Sequence, residues 1–190
     1  MLYPAVVTSL NELEQIQELN CQNLKANFSV EEQAQEGFVS WPYSLKLLEQ
    51  MNGLAPSIIV KQEEDVVGYA LVTLVEASAF HEDLKLMLAN ISTVQYKGRS
   101  LAHYNFYLMG QVCIKKEFRG KGVFSLLYQE HKKVYSKDYE LLVTEISAKN
   151  KRSLKAHEKL GFETIHKYKI DEDEWIVVAW NWLSPYDQLA

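Results

Sequence analysis

The chain has 190 residues, of which 47% are hydrophobic and 24% charged, and a net charge of −5. That balance fits one domain with a sizeable core and excludes a disordered or low-complexity polypeptide. Two cysteines, Cys21 and Cys113, make no disulfide framework. With no signal-like N-terminus and no apolar run near the ~18 residues of a membrane span, a cytoplasmic protein is expected.

Residues 5–8 read as a short strand. A helix follows, capped by Ser9 with Glu12 three residues on, running through Leu19 toward Leu24. Helices are expected over 30–35 and 43–51, separated by Gly37 and Trp41-Pro42, with Asn52-Gly53 stopping the second. Residues 57–61 and 66–75 make a hairpin around Glu63-Glu64-Asp65. Segment 76–105 is long for a connection and holds a short helix over 81–88 and a turn at Lys97-Gly98.

A strand over 106–116 then leads into a turn rich in glycine and cations, and Val123, Leu126, Leu127 and Val134 recur at helical spacing beyond it. Next come a strand over 141–147, a helix over 150–160 stopped by Gly161, and two antiparallel strands over 162–170 and 175–182 around Asp171-Glu172-Asp173. The order implies an α/β (α+β) fold: a single mixed, mostly antiparallel central sheet flanked by helices, one domain over 1–190.

The turn Arg119-Gly-Lys-Gly122 carries the most chemistry. Glycines at a helix start allow close backbone approach, and unpaired N–H groups gather there with the positive dipole end, as an anionic ligand requires. A Walker loop is excluded because Val123 stands where Ser or Thr is needed. A dinucleotide fingerprint lacks its third glycine at Ser125 and a well-placed acidic residue. From 115 to 159 there are twelve Lys/Arg against six Asp/Glu, and elsewhere eight against nineteen. A basic segment of this size in an acidic chain suits a small polyanion, and neither nucleic acid nor a membrane is an expected partner.

Some thirty residues on, Asn150, Ser153, His157 and Leu160 fall on one helix face, followed by Gly161-Phe162. For Asn150 the plain alternative is a helix cap. The turn together with Asn150-x-x-Ser153-x-x-x-His157-Glu-Lys-Leu-Gly-Phe162 resembles the GNAT N-acetyltransferase superfamily, with the likeness strongest over 111–162 and faint before Ser57. The resemblance implies acetyl-coenzyme A as cosubstrate. It assigns cofactor contacts to Val112 and Ile114 on the strand, to Arg119, Gly120, Lys121, Gly122, Val123 and Phe124 at the turn, and to Asn150 and Ser153 on the helix. Phe124 stands where the family usually has a small residue, and His157 where it usually has a tyrosine general acid.

Acetyl transfer to an amine needs a base, an oxyanion donor and a proton for the departing thiolate. Glu145, a lone carboxylate among apolar strand residues, is the candidate base, an exposed or ion-paired role being the plain alternative. His157 is the candidate acid, tuned to donate near neutrality, with Tyr128 and Tyr168 as fallback donors. Cys113 reads as a packing residue, and no spacing suggests a metal. Trp41, Tyr43, His81, Glu82, Asp83, His103 and Tyr104 are candidates to line the acceptor site. The acceptor would be a small-molecule or peptide amine, the acidic balance leaning toward a polyamine, amino acid or peptide N-terminus. A non-catalytic acyl-coenzyme A sensor and a longer-chain acyltransferase stay open as alternatives, as does a homodimer through the last strand as an exposed edge.

Overall fold

The structure, a computed structural model, describes residues 1–29, 31–33 and 38–183. The strands are β1 (Leu2–Val6), β2 (Ile58–Gln62), β3 (Asp65–Thr73), β4 (Gln95–Tyr96), β5 (Arg99–Ser100), β6 (Phe106–Ile114), β7 (Leu141–Ser147), β8 (Glu163–Ile170) and β9 (Asp173–Asn181). The helices are α1 (Leu10–Gln22), α2 (Leu45–Leu54), α3 (Glu82–Ser92), α4 (Val123–Tyr135) and α5 (Lys151–Lys159). Seven strands form one sheet in the order β1-β2-β3-β6-β7-β9-β8, and β4 and β5 form a separate small hairpin. Every neighbouring pair in the large sheet is antiparallel except β6–β7. The expected mixed, mostly antiparallel sheet is therefore present.

One face of the sheet packs on α4, where Val123, Leu127 and Tyr128 meet Val60, Val72, Tyr107 and Leu142. The other is covered over β2 and β3 by α1 and α2, through Ile16, Leu19, Leu48 and Met51 on Ile59, Tyr69 and Leu71. Farther along that face, Leu88 and Ile91 of α3 share a core with Leu108, Val143 and Val177. Ser9 and Glu12 form the predicted capping box, and Glu12 also accepts from Lys61 at 3.0 Å.

Several boundaries differ from those expected. β1 spans Leu2–Val6 and contains Pro4, which an edge strand tolerates because its N–H side needs no ladder partner. Asn52-Gly53 does not stop α2, which begins after Ser44 and runs to Leu54. A Cβ at Gly53 would meet nothing within 4 Å, so the residue lies on an open helix face. The helix expected over 30–35 lies partly outside the described residues; residues 31–33 are helical. β9, the last strand, is enclosed between β7 and β8, so it is not the edge expected to pair across a dimer; β8 holds that position.

Two irregularities in β6 shape the space beside it. Its ladder to β7 consists of Phe106–Leu141, Tyr107–Leu142 and Leu108–Val143 and goes no farther, so the parallel strands diverge beyond Leu108. On its other side Ala70 pairs with Val112 and Val72 with Met109, leaving Gly110 and Gln111 opposite Leu71 alone. This bulge reverses the side-chain parity. Tyr107 and Met109 face the α4 core before it, and Val112 and Ile114 pack there after it, while Gln111 and Cys113 turn toward α1.

Candidate functional site: two cavities joined at a strand divergence

The end of β6, the turn after it, the start of α4 and one side of α5 enclose a cleft of about 610 Å³. Val112, Ile114, Arg119, Gly120, Gly122, Val123, Phe124, Asn150 and Ser153 all line it. The sequence separates these residues by up to 41 positions, from Val112 to Ser153, and the β6–α4–β7–α5 connection brings them together. Gly120 (φ 78°) and Gly122 (φ 83°) adopt left-handed conformations that favour glycine, and Gly122 caps α4 without a side-chain bond. The first paired helical amide is that of Leu126, on Gly122 O at 3.1 Å. Among the described residues, the N–H groups of Val123, Phe124 and Ser125 have no protein partner, so the positive end of α4 opens into the cleft.

Arg119 Nε donates to Ile114 O at 3.1 Å and its Nη2 to Asn23 Oδ1 at 2.9 Å, which ties α1's end to the turn. Arg152, Lys155 and Lys159 supply further positive charge to the cleft wall from α5. Lys121 departs from expectation. Its ammonium lies over the Phe118 ring, 5.4 Å from the centroid, its N–H is bonded to Phe118 O, and it does not line the cleft. The ring of Phe124 lies against Tyr128 (4.7 Å) and His157 (5.1 Å).

Beyond the divergence lies a smaller pocket of about 160 Å³. Val112, Asn150 and Ser153 line both cavities, so the two meet where β6 and β7 part. Thr144 Oγ1 donates to Met109 O at 2.8 Å, satisfying a carbonyl that β7 no longer reaches. Asn150 does cap α5, accepting from Ser153 N–H at 3.1 Å, while remaining in both walls.

Glu145 stands in the wall of the small pocket. Tyr168 donates a hydrogen bond to its Oε2, and among the described residues its Oε1 has no partner. Burial pushes the Glu145 carboxyl above the usual range, and the Tyr168 bond opposes this only in part. Tyr168 itself is raised, chiefly by burial and by that bond.

His157 is placed differently from the expectation of a proton donor tuned to neutrality. It is buried, its Nδ1 lies 2.8 Å from Ser153 O and 3.3 Å from Ser153 Oγ, and its Nε2 lies 2.5 Å from Tyr128 Oη. A carbonyl can only accept, so Nδ1 carries the proton and Nε2 accepts from Tyr128. Burial lowers the imidazole to about 4, and it is neutral at pH 7. Ser153 lines both cavities, and His157 also borders the small pocket. Tyr128 is fully buried and burial raises it well above the usual phenol range.

Of the seven residues expected around the acceptor, Trp41 and Tyr43 line the small pocket. His81 packs behind Trp41 at 5.0 Å and accepts from Asp83 N–H at the start of α3, while Glu82 is paired with Lys85. His103 is exposed, and Tyr104 is occupied by a bond to Tyr96 O and by Arg99 over its ring. Burial pushes the Cys113 thiol up to about 12, which leaves it protonated at neutral pH.

Sequence reasoning missed the group that fixes Trp41 and Tyr43. Gln111 Oε1 accepts from Asn20 Nδ2 and from Tyr69 Oη, each at 2.6 Å, and Gln111 Nε2 donates to Trp41 O at 3.0 Å. Asn20 also donates to Trp41 O and accepts from Tyr43 N–H, each at 3.1 Å. The bulge residue thereby clamps segment 41–43 over the pocket. Gly110 beside it admits Tyr43, because a Cβ there would run into Thr73 Oγ1 and come within 3.1 Å of Tyr43 Oη. Trp175, at the start of β9, was also missed.

Among the described residues, no group of three or more His, Cys, Asp and Glu could hold a metal ion, and no helix is long and apolar enough to cross a membrane. No curated protein matches the chain in sequence. Solved structures share its fold. The ribosomal-protein-S18-alanine N-acetyltransferase of Escherichia coli superposes with a TM-score of 0.63 at 12% identity, covering 95% of this chain and 94% of that one. An N-acetyltransferase of Staphylococcus aureus Mu50 gives 0.63 at 17% identity, with 96% and 99% covered. The yncA protein of Salmonella typhimurium, solved with its cofactor acetyl-CoA, gives 0.62 at 14% identity, with 96% and 95% covered. The profile of the Acetyltransferase (GNAT) family matches residues 13–162, a span that takes in the diverging strands, the glycine turn and the α5 block, and the chain belongs to that family.

Proposed function

We propose that the protein is an acetyl-coenzyme A-dependent N-acetyltransferase in which a primary amine attacks the thioester directly. The observation that carries this reading is the meeting of two chemically different cavities at the β6–β7 divergence, a cationic, N–H-lined cleft on one side and a carboxylate-bearing pocket on the other.

Acetyl-coenzyme A is the cosubstrate, and the residues fit its chemistry. A cleft of about 610 Å³ has the size of a small-ligand site. The free amides of Val123, Phe124 and Ser125 suit the pyrophosphate, and Arg152, Lys155 and Lys159 suit the remaining phosphate. Val112 and Ile114 border the route toward the divergence, with Asn150 on the opposite wall. The cosubstrate supplies an activated acetyl group, and the protein has to present a neutral amine to it.

Glu145 is the base that takes the ammonium proton. Its raised pKa brings it nearer to that of the amine, and Tyr168 fixes its orientation. Beyond Leu108 the backbone of β6 is freed from β7, which leaves polar groups available to a carbonyl oxygen at the junction. The Ser153 hydroxyl is the hydrogen-bond donor for the departing sulfur. His157 acts as a neutral positioning residue, holding Ser153 from one nitrogen and tied to Tyr128 through the other.

Calorimetric titration with acetyl-coenzyme A, followed by thiol release across an amine panel, tests the proposal. Micromolar binding with turnover on an amine is expected. Binding without turnover on any amine would favour the sensor, and absence of binding would defeat both.

A further inference from the structure

The pocket beyond the divergence also constrains which amine can enter. Among the described residues, Glu145 is the only formally charged side chain in its wall; Trp41, Tyr43, Met87, Leu108 and Trp175 are among its aromatic and apolar residues, and its other polar side chains are neutral. No described Lys or Arg lines it; the cations of α5 belong to the other cavity. The remaining residues, 30, 34–37 and 184–190, include no Lys or Arg either. We propose that the acceptor is a small primary monoamine with an uncharged apolar or aromatic tail and no carboxylate beside the amino group. This rests on the N-acetyltransferase function proposed above and narrows it.

The physical case has three parts. First, an ammonium ion placed here gains the free Oε1 of Glu145 in a wall that also holds tryptophan and tyrosine rings, the combination that recognises organic cations. Second, a carboxylate carried in with the amine would be desolvated beside Glu145 with no cation to pair with, and removing an ion from water unpaired is costly. Free amino acids are disfavoured on that ground. The second ammonium of a diamine likewise finds no second carboxylate among the described residues of the wall. Third, about 160 Å³ corresponds to roughly five waters at ~30 Å³ each, room for a short branched tail or one ring. The wall is preformed, since Asn20 and Gln111 hold Trp41 O and Tyr43 N–H from the buried side, so little ordering cost falls on the ligand.

Matched pairs decide the matter. With saturating acetyl-coenzyme A, kcat/KM is measured for 2-phenylethylamine against phenylalanine, for isoamylamine against leucine, and for putrescine and a phenylalanyl peptide. Each monoamine is expected to exceed its amino acid on the order of a hundred-fold, the scale set by an unpaired buried charge. The amino acid has the less basic nitrogen and so the larger neutral fraction, so basicity cannot produce that order. Ser40, exposed at the rim, provides the second arm: Ser40→Arg offers a carboxylate its missing partner and should narrow the ratio about ten-fold. Equal or faster turnover of the amino acids, the diamine or the peptide overturns this acceptor class and leaves the acetyltransferase standing. Cofactor binding with no amine acetylated overturns both.

Discussion

On the α4–α5 side of the sheet, the large cleft draws its positive character from main-chain amides after Gly122, with lysines and arginines around the rim. Across the β6–β7 divergence, the small pocket draws its character from individual side chains: Glu145 with Tyr168, and Trp41 and Tyr43 pinned through Asn20 and Gln111. Backbone donors need only a turn of the right shape, so the cofactor half tolerates an unusual Phe124 whose ring is accommodated against Tyr128 and His157. The acceptor half depends on one carboxylate and on the placement of a few rings. Substitutions should therefore separate into two kinds, those that change cofactor affinity and those that change use of the amine.

The largest separation is expected at Glu145. Glu145→Gln keeps the shape and the acceptor for Tyr168 but removes the base, so kcat/KM for the amine should fall about 10²–10⁴-fold. The Kd for acetyl-coenzyme A should hold. In the unsubstituted protein kcat/KM should rise with pH through an acid limb above the ordinary glutamate range, because burial raises this carboxyl. The same shift has a consequence for stability. A carboxyl raised in the folded state contributes stability below its unfolded pKa, and that contribution is lost as pH rises through the folded value. The urea midpoint of Glu145→Gln should therefore gain on that of the unsubstituted protein as pH is raised from about 4 to about 8. A constant difference would mean that Glu145 is not held in a desolvated site.

Gln111→Met should come next. It removes the acceptor shared by Asn20 and Tyr69 and one donor to Trp41 O, at about 1–3 kcal/mol for each orphaned buried group. Denaturant midpoints read the loss of stability. At a temperature where the variant is folded, KM for the amine should rise while the Kd of acetyl-coenzyme A changes little. Equal effects on both ligands would show that segment 41–43 serves both cavities alike.

The opposite pattern is expected at Gly122. With φ at 83°, a Cβ costs about 1–2 kcal/mol in the left-handed region. If the turn relaxes instead, its amides rotate away, and acetyl-coenzyme A binding weakens about 5–30-fold for that energy. Calorimetry on Gly122→Ala reads the change. The monoamine preference measured at saturating cofactor should survive it, since Gly122 is not among the residues lining the small pocket.

The same division governs how much of the molecule the sequence disclosed. The cofactor half is local: Arg119 to Phe124 are consecutive, and Asn150 to Phe162 share one helix and its exit, so both lie within the short motifs that carry the family resemblance. Glu145 was visible as a charge in an apolar strand. The clamp was not, because Asn20 and Gln111 are 91 positions apart and a single glutamine in a strand carries no periodic mark. The bulge at Gly110-Gln111 was equally hidden, since parity reverses only when β3 is laid beside β6. The place of His157 on the α5 face was legible, but not its protonation. That depends on Tyr128, 29 positions earlier, closing over Nε2. Segment 76–105 resisted because α3 and the β4–β5 hairpin gain their partners only in the core with Leu108 and Val143.

The smallest expected effect concerns the rim of the cofactor cleft. Lys155 is exposed on α5, so its contribution to binding a phosphate is screened and should amount to about 0.3–1 kcal/mol, roughly 2–5-fold in Kd. Lys155→Ala should weaken acetyl-coenzyme A binding by that factor at low salt and by less as salt is added. The amides after Gly122 act at closer range and are not mobile charges, so the loss caused by Gly122→Ala should persist under the same salt. The two can be separated further with the dephospho form of the cofactor, which retains the pyrophosphate but lacks the phosphate assigned to α5. Lys155→Ala should then have almost no effect, whereas Gly122→Ala should keep its own. If Lys155→Ala instead weakened both forms equally, the α5 cations would be acting on the pyrophosphate, and the cleft would bind its anion through side chains to a greater extent than the free amides of α4 imply.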